Sequence, residues 1–177
     1  MLRSMFVVLT AAALVVGARA HEHGPATAAT AEEEEQTSTR ANLRGVWKIT
    51  ELMSRASGED WTSATPSASV YIFTDQHYSY MYTTGSAPRR LFAGDPNKPT
   101  DAEKVGAYES FVGASGTYVL AGATLTLKAL VHKNPNEMAG EPLTYAVEID
   151  GNTLRMTITN PPFSPGRERR TVLTRVE

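Results

Sequence analysis

The chain has 177 residues, with 17 lysines and arginines against 19 aspartates and glutamates, and it contains no cysteine. A formal net charge of −2 argues against a nucleic-acid-binding protein, because phosphate contact needs a stripe of basic residues. Without cysteines there is no disulfide framework and no lipidation site, so packing and sheet closure must provide the stability.

The first 20 residues have the features of a secretory signal peptide. Arg3 gives a basic start, an apolar run occupies residues 5–16, and Ala18-Arg19-Ala20 is a small-x-small cleavage site. The apolar run is shorter than the roughly 20 residues that a transmembrane helix needs. We therefore expect cleavage after Ala20, a mature chain without a transmembrane segment, and a secreted or periplasmic location.

Residues 21–41 are predicted to form a disordered acidic tether. This segment contains four consecutive glutamates and no aromatic or large aliphatic residue, so it cannot bury enough surface to offset the entropy of ordering. After cleavage, the amine of His21, two backbone amides and the imidazole of His23 would form a tetragonal nitrogen set. Cu(II) and Ni(II) prefer such a set, and we predict no other cofactor.

Residues 42–177 are predicted to form one all-β domain. The apolar residues recur with a period of two along most of this segment, and turn signals such as Asp150-Gly151 separate the runs. The eight predicted strands span residues 45–53, 69–74, 77–83, 117–120, 124–132, 143–149, 153–159 and 169–176.

One short helix is predicted between the third and fourth strands. Thr100 and Glu103 have the spacing of a capping box, and apolar residues follow at three-to-four spacing as far as residues 111–112. Gly113 is the predicted end of this helix.

Short antiparallel strands joined by tight turns leave exposed edges unless the sheet closes on itself. Closure of eight strands gives an up-and-down barrel whose interior holds side chains or one small ligand. A sandwich of two sheets is the alternative architecture.

The start and end of the domain resemble the lipocalins. Gly45-Val46-Trp47 resembles their Gly-x-Trp motif, in which the tryptophan closes one end of the barrel. In that family a basic residue of the last strand lies over the tryptophan ring, and Arg175 holds this position here.

The middle of the chain resembles the bacterial and fungal lipocalin-like domains in the order of its motifs. A tyrosine-rich strand at 70–75 is followed by the predicted helix and by Ser115-Gly116-Thr117-Tyr118. The resemblance covers residues 43–176 and implies a lipocalin-like barrel. Such domains often carry a histidine within the strand at 124–131, where this chain has Lys128, with His132 nearer the loop.

Aromatic side chains are the candidate ligand-binding residues. If Phe73 pairs with Tyr78, one face of the hairpin formed by the second and third predicted strands carries five aromatic rings. Such a face suits an apolar or amphipathic ligand. The opposite face is also apolar, so alternation leaves open which face points inward and whether the rings line a cavity or fill the core. The predicted residues are Tyr71, Phe73, Tyr78, Tyr80 and Tyr82, with Tyr145 on a later strand.

Two groups of arginines lie near predicted loops. The connection at 84–99 is long enough to be a lid, where Arg89 and Arg90 would bind a carboxylate, although solvated charges are the simpler interpretation. The arginines at 167, 169 and 170 are interpreted as solvated loop charges.

No motif for nucleophilic or zinc-dependent hydrolysis is present in the sequence. Proton-transfer chemistry needs only a tyrosine or a carboxylate in a dry pocket, and alternation places Glu51 on the same face as Trp47. The predicted function is binding of a small hydrophobic or amphipathic molecule by an exported protein. The alternatives are an isomerase, cyclase or hydratase within the barrel, or an interaction module with a filled barrel.

Overall fold

The structure is a computed structural model that describes residues 40–177. The predicted signal peptide, nearly all of the tether, and His21 and His23 lie outside the described residues, so those expectations stay predictions. The last two residues of the predicted tether are ordered, because residues 40–43 form a helical turn in which the Arg44 amide donates to the Arg40 carbonyl at 3.3 Å.

After this turn, the described part contains nine strands and two helices. The strands are β1 (Gly45–Ala56), β2 (Thr62–Ala64), β3 (Ser69–Phe73), β4 (His77–Thr83), β5 (Phe111–Ala121), β6 (Thr124–His132), β7 (Leu143–Asp150), β8 (Thr153–Thr159) and β9 (Arg167–Arg175). The helices are α1 (Asp101–Glu109) and α2 (Pro135–Ala139).

The sheet closes into the predicted barrel. From β3 to β9 each strand pairs antiparallel with the next, and β1 pairs with β3 on one side and with β9 on the other. The β1–β9 ladder runs from Trp47 opposite Arg175 to Ala56 opposite Arg167, which excludes the open sandwich. The barrel has eight strands, and β2, which was not predicted, pairs only with β1 outside the closed circuit.

The helix boundaries differ from those predicted. α1 begins at the predicted capping box of Thr100 and Glu103 but ends at Glu109, where Ser110 donates its amide to the Gly106 carbonyl. Residues 111–113 belong to β5 instead, because they pair with β4 along a seven-residue ladder that adds a strand's hydrogen bonds and burial. The five-residue α2 was not predicted.

The closed end of the barrel is packed around Trp47. This side chain is fully buried, and its indole N–H donates to the Leu43 carbonyl at 2.9 Å. The guanidinium carbon of Arg175 lies 4.1 Å from the indole centroid, and Arg175 also donates to the carbonyl oxygens of Arg44 and Asn42. The helical turn, the first strand and the last strand are therefore joined at one point.

Gly45 has a steric reason to be glycine. Its φ is +130°, and a Cβ there would collide with the carbonyl oxygen of Glu177 and with the Arg175 guanidinium. The glycine of the Gly-x-Trp motif thus lets the last strand approach closely enough for Arg175 to cover Trp47.

Among residues 40–177, none of the helices is long and apolar enough to cross a membrane. Within the same range, no group of three or more histidine or carboxylate side chains is arranged to hold a metal ion.

Trp47→Ala should lower the free energy of unfolding by about 3–5 kcal/mol, because it removes a large buried side chain and leaves a cavity at the closed end. Trp61 provides the matched control, since it is half-buried on the outside of the barrel between the guanidinium groups of Arg55 (4.5 Å) and Arg170 (4.8 Å). Trp61→Ala should cost only about 1–2 kcal/mol. Chemical denaturation measures both; equal losses would contradict the assignment of Trp47 as the closing residue.

Candidate functional site in the barrel cavity

The tyrosine-rich face of β3 and β4 points into the barrel. The register places Phe73 opposite Tyr78 and Tyr71 opposite Tyr80, as the sequence predicts. The side chains of this face are nearly inaccessible, with Tyr71 5% exposed and Tyr80 7% exposed, whereas Met81 of the opposite face is 55% exposed. The choice that alternation left open is therefore resolved in favour of the aromatic face.

The inward rings form a stacked layer along one wall. Tyr71 and Tyr80 lie at a centroid distance of 4.6 Å and an interplanar angle of 16°, and Tyr80 stacks on Tyr82 at 6.0 Å. Phe73 lies farther toward the closed end, where it makes an edge contact with Tyr118 at 5.6 Å. This division separates rings that fill the core from rings that border open space.

A cavity of about 450 Å³ occupies the open half of the barrel. Of the predicted ligand-binding residues, Tyr71, Tyr80, Tyr82 and Tyr145 line it, whereas Phe73 and Tyr78 do not. Its other apolar lining residues are Leu52, Met53, Tyr108, Val112, Leu143, Ile158 and Phe163, and its polar ones are Thr84, His132, Lys133, Asn134, Glu137, Arg169, Arg170 and Thr171.

The phenol hydroxyls of this cavity remain protonated. Burial raises the pKa of Tyr71 and Tyr80 well above the ordinary value, and it also raises the pKa of Tyr145 and Tyr82, where the nearby Arg169 charge partly counteracts it. Burial raises the pKa of Tyr78 to about 12. Each neutral phenol can donate one hydrogen bond and accept another.

Three of these hydroxyls have no partner within the described part of the chain. Tyr71, Tyr82 and Tyr145 make no side-chain hydrogen bond to residues 40–177, and no buried side-chain polar atom in that range is both sealed from solvent and unpaired. The three hydroxyls therefore reach the open space of the cavity. They are available to a ligand that offers hydrogen-bonding groups.

His132 lies at the edge of this cavity. Its Nδ1 lies 2.9 Å from the Asn134 amide nitrogen and 3.2 Å from the Asn134 carbonyl oxygen, and its Nε2 lies 3.5 Å from the Tyr80 hydroxyl. The sequence placed His132 toward the loop, yet it lines the cavity, whereas Lys128 points outward and is exposed.

Arg89 and Arg90 do not line the barrel cavity. Arg89 donates to Ser110 Oγ at 2.9 Å and to the Ala107 carbonyl at 3.1 Å, so it satisfies the C-terminal end of α1. Both arginines border a separate pocket of about 570 Å³ between α1 and residues 84–93. The predicted lid is therefore packed against α1, and Thr84 is the residue of this connection that reaches the cavity.

The arginines near the C-terminus all lie in the last strand, which was predicted to begin at Arg169 and also includes Arg167. β9 begins at Arg167, and Arg169 lies among the residues that line the cavity mouth. Arg169 and Thr171 lie at two-residue spacing before the buried Leu173, which indicates that all three face the barrel interior. The neighbouring arginines made this pattern hard to recognise in the sequence.

Glu51 does not share the inward face of Trp47. A β-bulge between Ile49 and Glu51 leaves Thr50 as an extra residue opposite β9, which reverses the alternation in the rest of β1. Leu52 consequently packs toward the core, while Glu51 accepts a hydrogen bond from Ser63 Oγ of β2 at 2.6 Å. The carboxylate proposed for proton transfer is thus outside the cavity.

The chain has only distant likeness to known proteins. No family model and no curated protein matches the chain. Among solved structures, a lipocalin-like protein from Bacteroides uniformis is 12% identical with a TM-score of 0.42, covering 76% of this chain and 98% of that one. An uncharacterized protein from Bacteroides eggerthii is also 12% identical, with a TM-score of 0.41, covering 75% and 98%. The eight-stranded antiparallel up-and-down barrel predicted from the sequence is confirmed by the strand order and closure described above.

The buried phenols predict a loss of stability in alkali. Because their pKa values are raised in the folded state, their contribution is complete below pH ~10 and is lost as the pH rises above that value, where the unfolded chain ionises first. The slope of unfolding free energy against pH is proportional to the number of protons released on unfolding. Replacing Tyr71 and Tyr145 together by phenylalanine should lower that number by up to about two. Denaturant unfolding between about pH 9 and 12 measures this slope. An unchanged slope would show that these hydroxyls are not buried.

Proposed function

We propose that this protein is an exported carrier that binds one small hydrophobic or amphipathic molecule in the open half of its barrel. The observation that carries the proposal is a cavity lined by six tyrosine and phenylalanine rings, in which the hydroxyls of Tyr71, Tyr82 and Tyr145 lack partners among residues 40–177. A volume of about 450 Å³ lies within the usual range of small-molecule pockets. Rings supply apolar contact, and the hydroxyls select for a few polar groups on the ligand.

The interaction module with a filled barrel is less well supported. Side chains such as Trp47, Phe73 and Leu120 fill the closed end, but the half beyond Tyr71 retains the open volume. A purely structural barrel would gain stability by filling this space with larger apolar side chains.

Blocking the cavity should abolish binding of a neutral apolar probe. Thr171→Trp places a large side chain among the cavity-lining residues, whereas Thr174→Trp on the same strand places it on the exposed outer face. We expect Nile red to fluoresce strongly with the wild type and with Thr174→Trp, and weakly with Thr171→Trp. If both variants and the wild type give the same weak signal, the cavity does not bind apolar molecules and the carrier proposal fails.

A barrel-hosted isomerase, cyclase or hydratase is the second candidate. Its support is the position of His132, whose Nε2 lies 3.5 Å from the Tyr80 hydroxyl at the cavity wall while Nδ1 is held by the Asn134 backbone. A histidine and a neutral phenol in contact can pass a proton to and from a bound molecule.

The two functions predict different fates for a natural ligand. A ligand extracted from the purified protein and incubated with it in D₂O should be recovered unchanged if the protein is a carrier. Deuterium at a carbon position, seen by mass spectrometry with the wild type and lost with His132→Gln, would establish the enzymatic function instead.

A further inference from the structure

Arg169 is a cation built into the inner wall of the barrel mouth. Arg169 precedes Thr171 by two residues and the fully buried Leu173 by four, so it lies on the inward face of β9. Its ladder partners are Ile158 on β8, which is buried, and Ser54 on β1. The guanidinium carbon is 5.6 Å from the centroid of the Phe163 ring, which borders the same mouth.

The Arg169 guanidinium has no hydrogen bond or ion pair within residues 40–177. The comparable cations around it are engaged: Arg167 donates to Ser54 Oγ at 2.8 Å, and Arg55 is paired with Glu168 at 2.7 Å. Lys133 donates to the Phe111 carbonyl at 2.7 Å. Arg169 is thus a half-buried charge whose donors remain available to something outside the described part of the chain.

The electrostatic balance of the cavity is positive. Glu137 is the one carboxylate among its lining residues, and Lys133 on the same wall offsets it, which leaves the charge of Arg169. The Arg170 guanidinium lies over Trp61 on the outside of the barrel instead. The Arg169 charge extends to the phenols, where it works against the burial that raises the pKa of Tyr82 and Tyr145. An anion bound at the mouth would meet one guanidinium and two neutral hydroxyl donors.

A guanidinium is suited to one ligand chemistry in particular. Its planar fork of N–H groups matches the two oxygens of a carboxylate, and hydrogen bonds between charged groups are stronger than neutral ones. A half-buried cation without a partner is unfavourable, so an anionic ligand would also relieve the cost of leaving Arg169 unpaired.

We propose that the ligand of the barrel is an amphiphile with one carboxylate-type head group, which Arg169 holds at the mouth while the apolar part lies along Tyr71 and Tyr80. This inference rests on the proposed function, since it requires that the cavity binds a small molecule. The ligand enters with its apolar part first, because the wall toward the closed end is aromatic and the charged groups lie at the mouth.

Two ligands that differ only in the head group test this proposal. Dodecanoate and dodecanol are titrated against bound Nile red for the wild type, Arg169→Gln and Arg169→Lys. Arg169→Gln should weaken dodecanoate binding by about tenfold to a hundredfold and leave dodecanol within about twofold. Arg169→Lys should recover part of the dodecanoate affinity, because it keeps the charge but loses the fork.

Arg155→Gln is the matched control on the neighbouring strand. Arg155 alternates with the buried Leu154 and Met156, so its side chain lies on the outer face of β8. This variant removes one positive charge without changing the cavity, and both affinities should stay at wild-type values. An equal loss in Arg155→Gln and Arg169→Gln would show a general charge effect and overturn the head-group assignment.

The remaining outcomes separate this inference from the proposed function. If dodecanoate and dodecanol both bind and Arg169→Gln affects neither selectively, the head-group proposal is overturned while the carrier function stands. If the wild type binds Nile red and neither ligand displaces it, the proposed ligand class is wrong. If Nile red, dodecanoate and dodecanol all fail to bind, both proposals fall. If Arg169→Gln loses both ligands, Arg169→Lys decides: a selective loss of dodecanoate supports the proposal, and an equal change in both ligands overturns it.

Discussion

Pairing between the first and last strands is the constraint on which the rest of the structure depends. Without the β1–β9 ladder, the remaining strands would form a curved sheet with two exposed edges. The ladder begins where Trp47 lies opposite Arg175, and the contact between these two side chains joins a buried indole to a cation that also binds the helical turn at 40–43. One aromatic–cation pair therefore fixes the register of closure, caps the interior and anchors the start of the described chain.

The bulge at Thr50 then gives the two ends of the barrel different characters. Before it, the inward side chains of β1 are Trp47 and Ile49, which are fully buried in the closed end. After it, the alternation is reversed, and Leu52 takes the inward side beside the cavity. Bulges increase local twist and bend a strand, and this one lies where the packed closed end gives way to the half that contains the cavity.

Much of the fold could be predicted from the sequence, because the deciding signals are local. The turn after Phe73 fixes the pairing with Tyr78, and the alternation of aromatic and small residues then assigns every ring of the hairpin to one face. Gly45, Trp47 and Arg175 were identifiable because they resemble the Gly-x-Trp motif and the last-strand basic residue of lipocalins. The end of α1 was not predictable from spacing alone, because residues 111–112 fit a helix and a strand equally well, and their pairing with β4 decides between the two.

The candidate site was only partly predictable for a different reason. Tyr71 and Tyr145 follow from strand alternation, but the position of Glu51 depends on one extra residue in a ladder. Because the apolar residues Leu52 and Met53 are adjacent, the apolar pattern fits either face. The role of Arg89 could not be predicted, because its contact with the end of α1 depends on how the connection at 84–99 packs against the helix. The spacing of Arg169 from Leu173 indicates an inward position, but charge clusters are usually solvated. Only the closed barrel shows that β9 has an inner face at its first residues.

The open half of the barrel contains polar groups that make the folded protein less stable than apolar side chains would. These groups are three phenol hydroxyls without partners in the described chain and one half-buried guanidinium. Each contributes less to the free energy of unfolding than an apolar side chain of the same size would. Such groups are retained at a cost in natural proteins where they contact something else, and a ligand that satisfies them stabilises the folded state by mass action. The closed end, where Trp47 and its neighbours pack without unpaired polar groups, provides stability that offsets the cost of these groups in the open end.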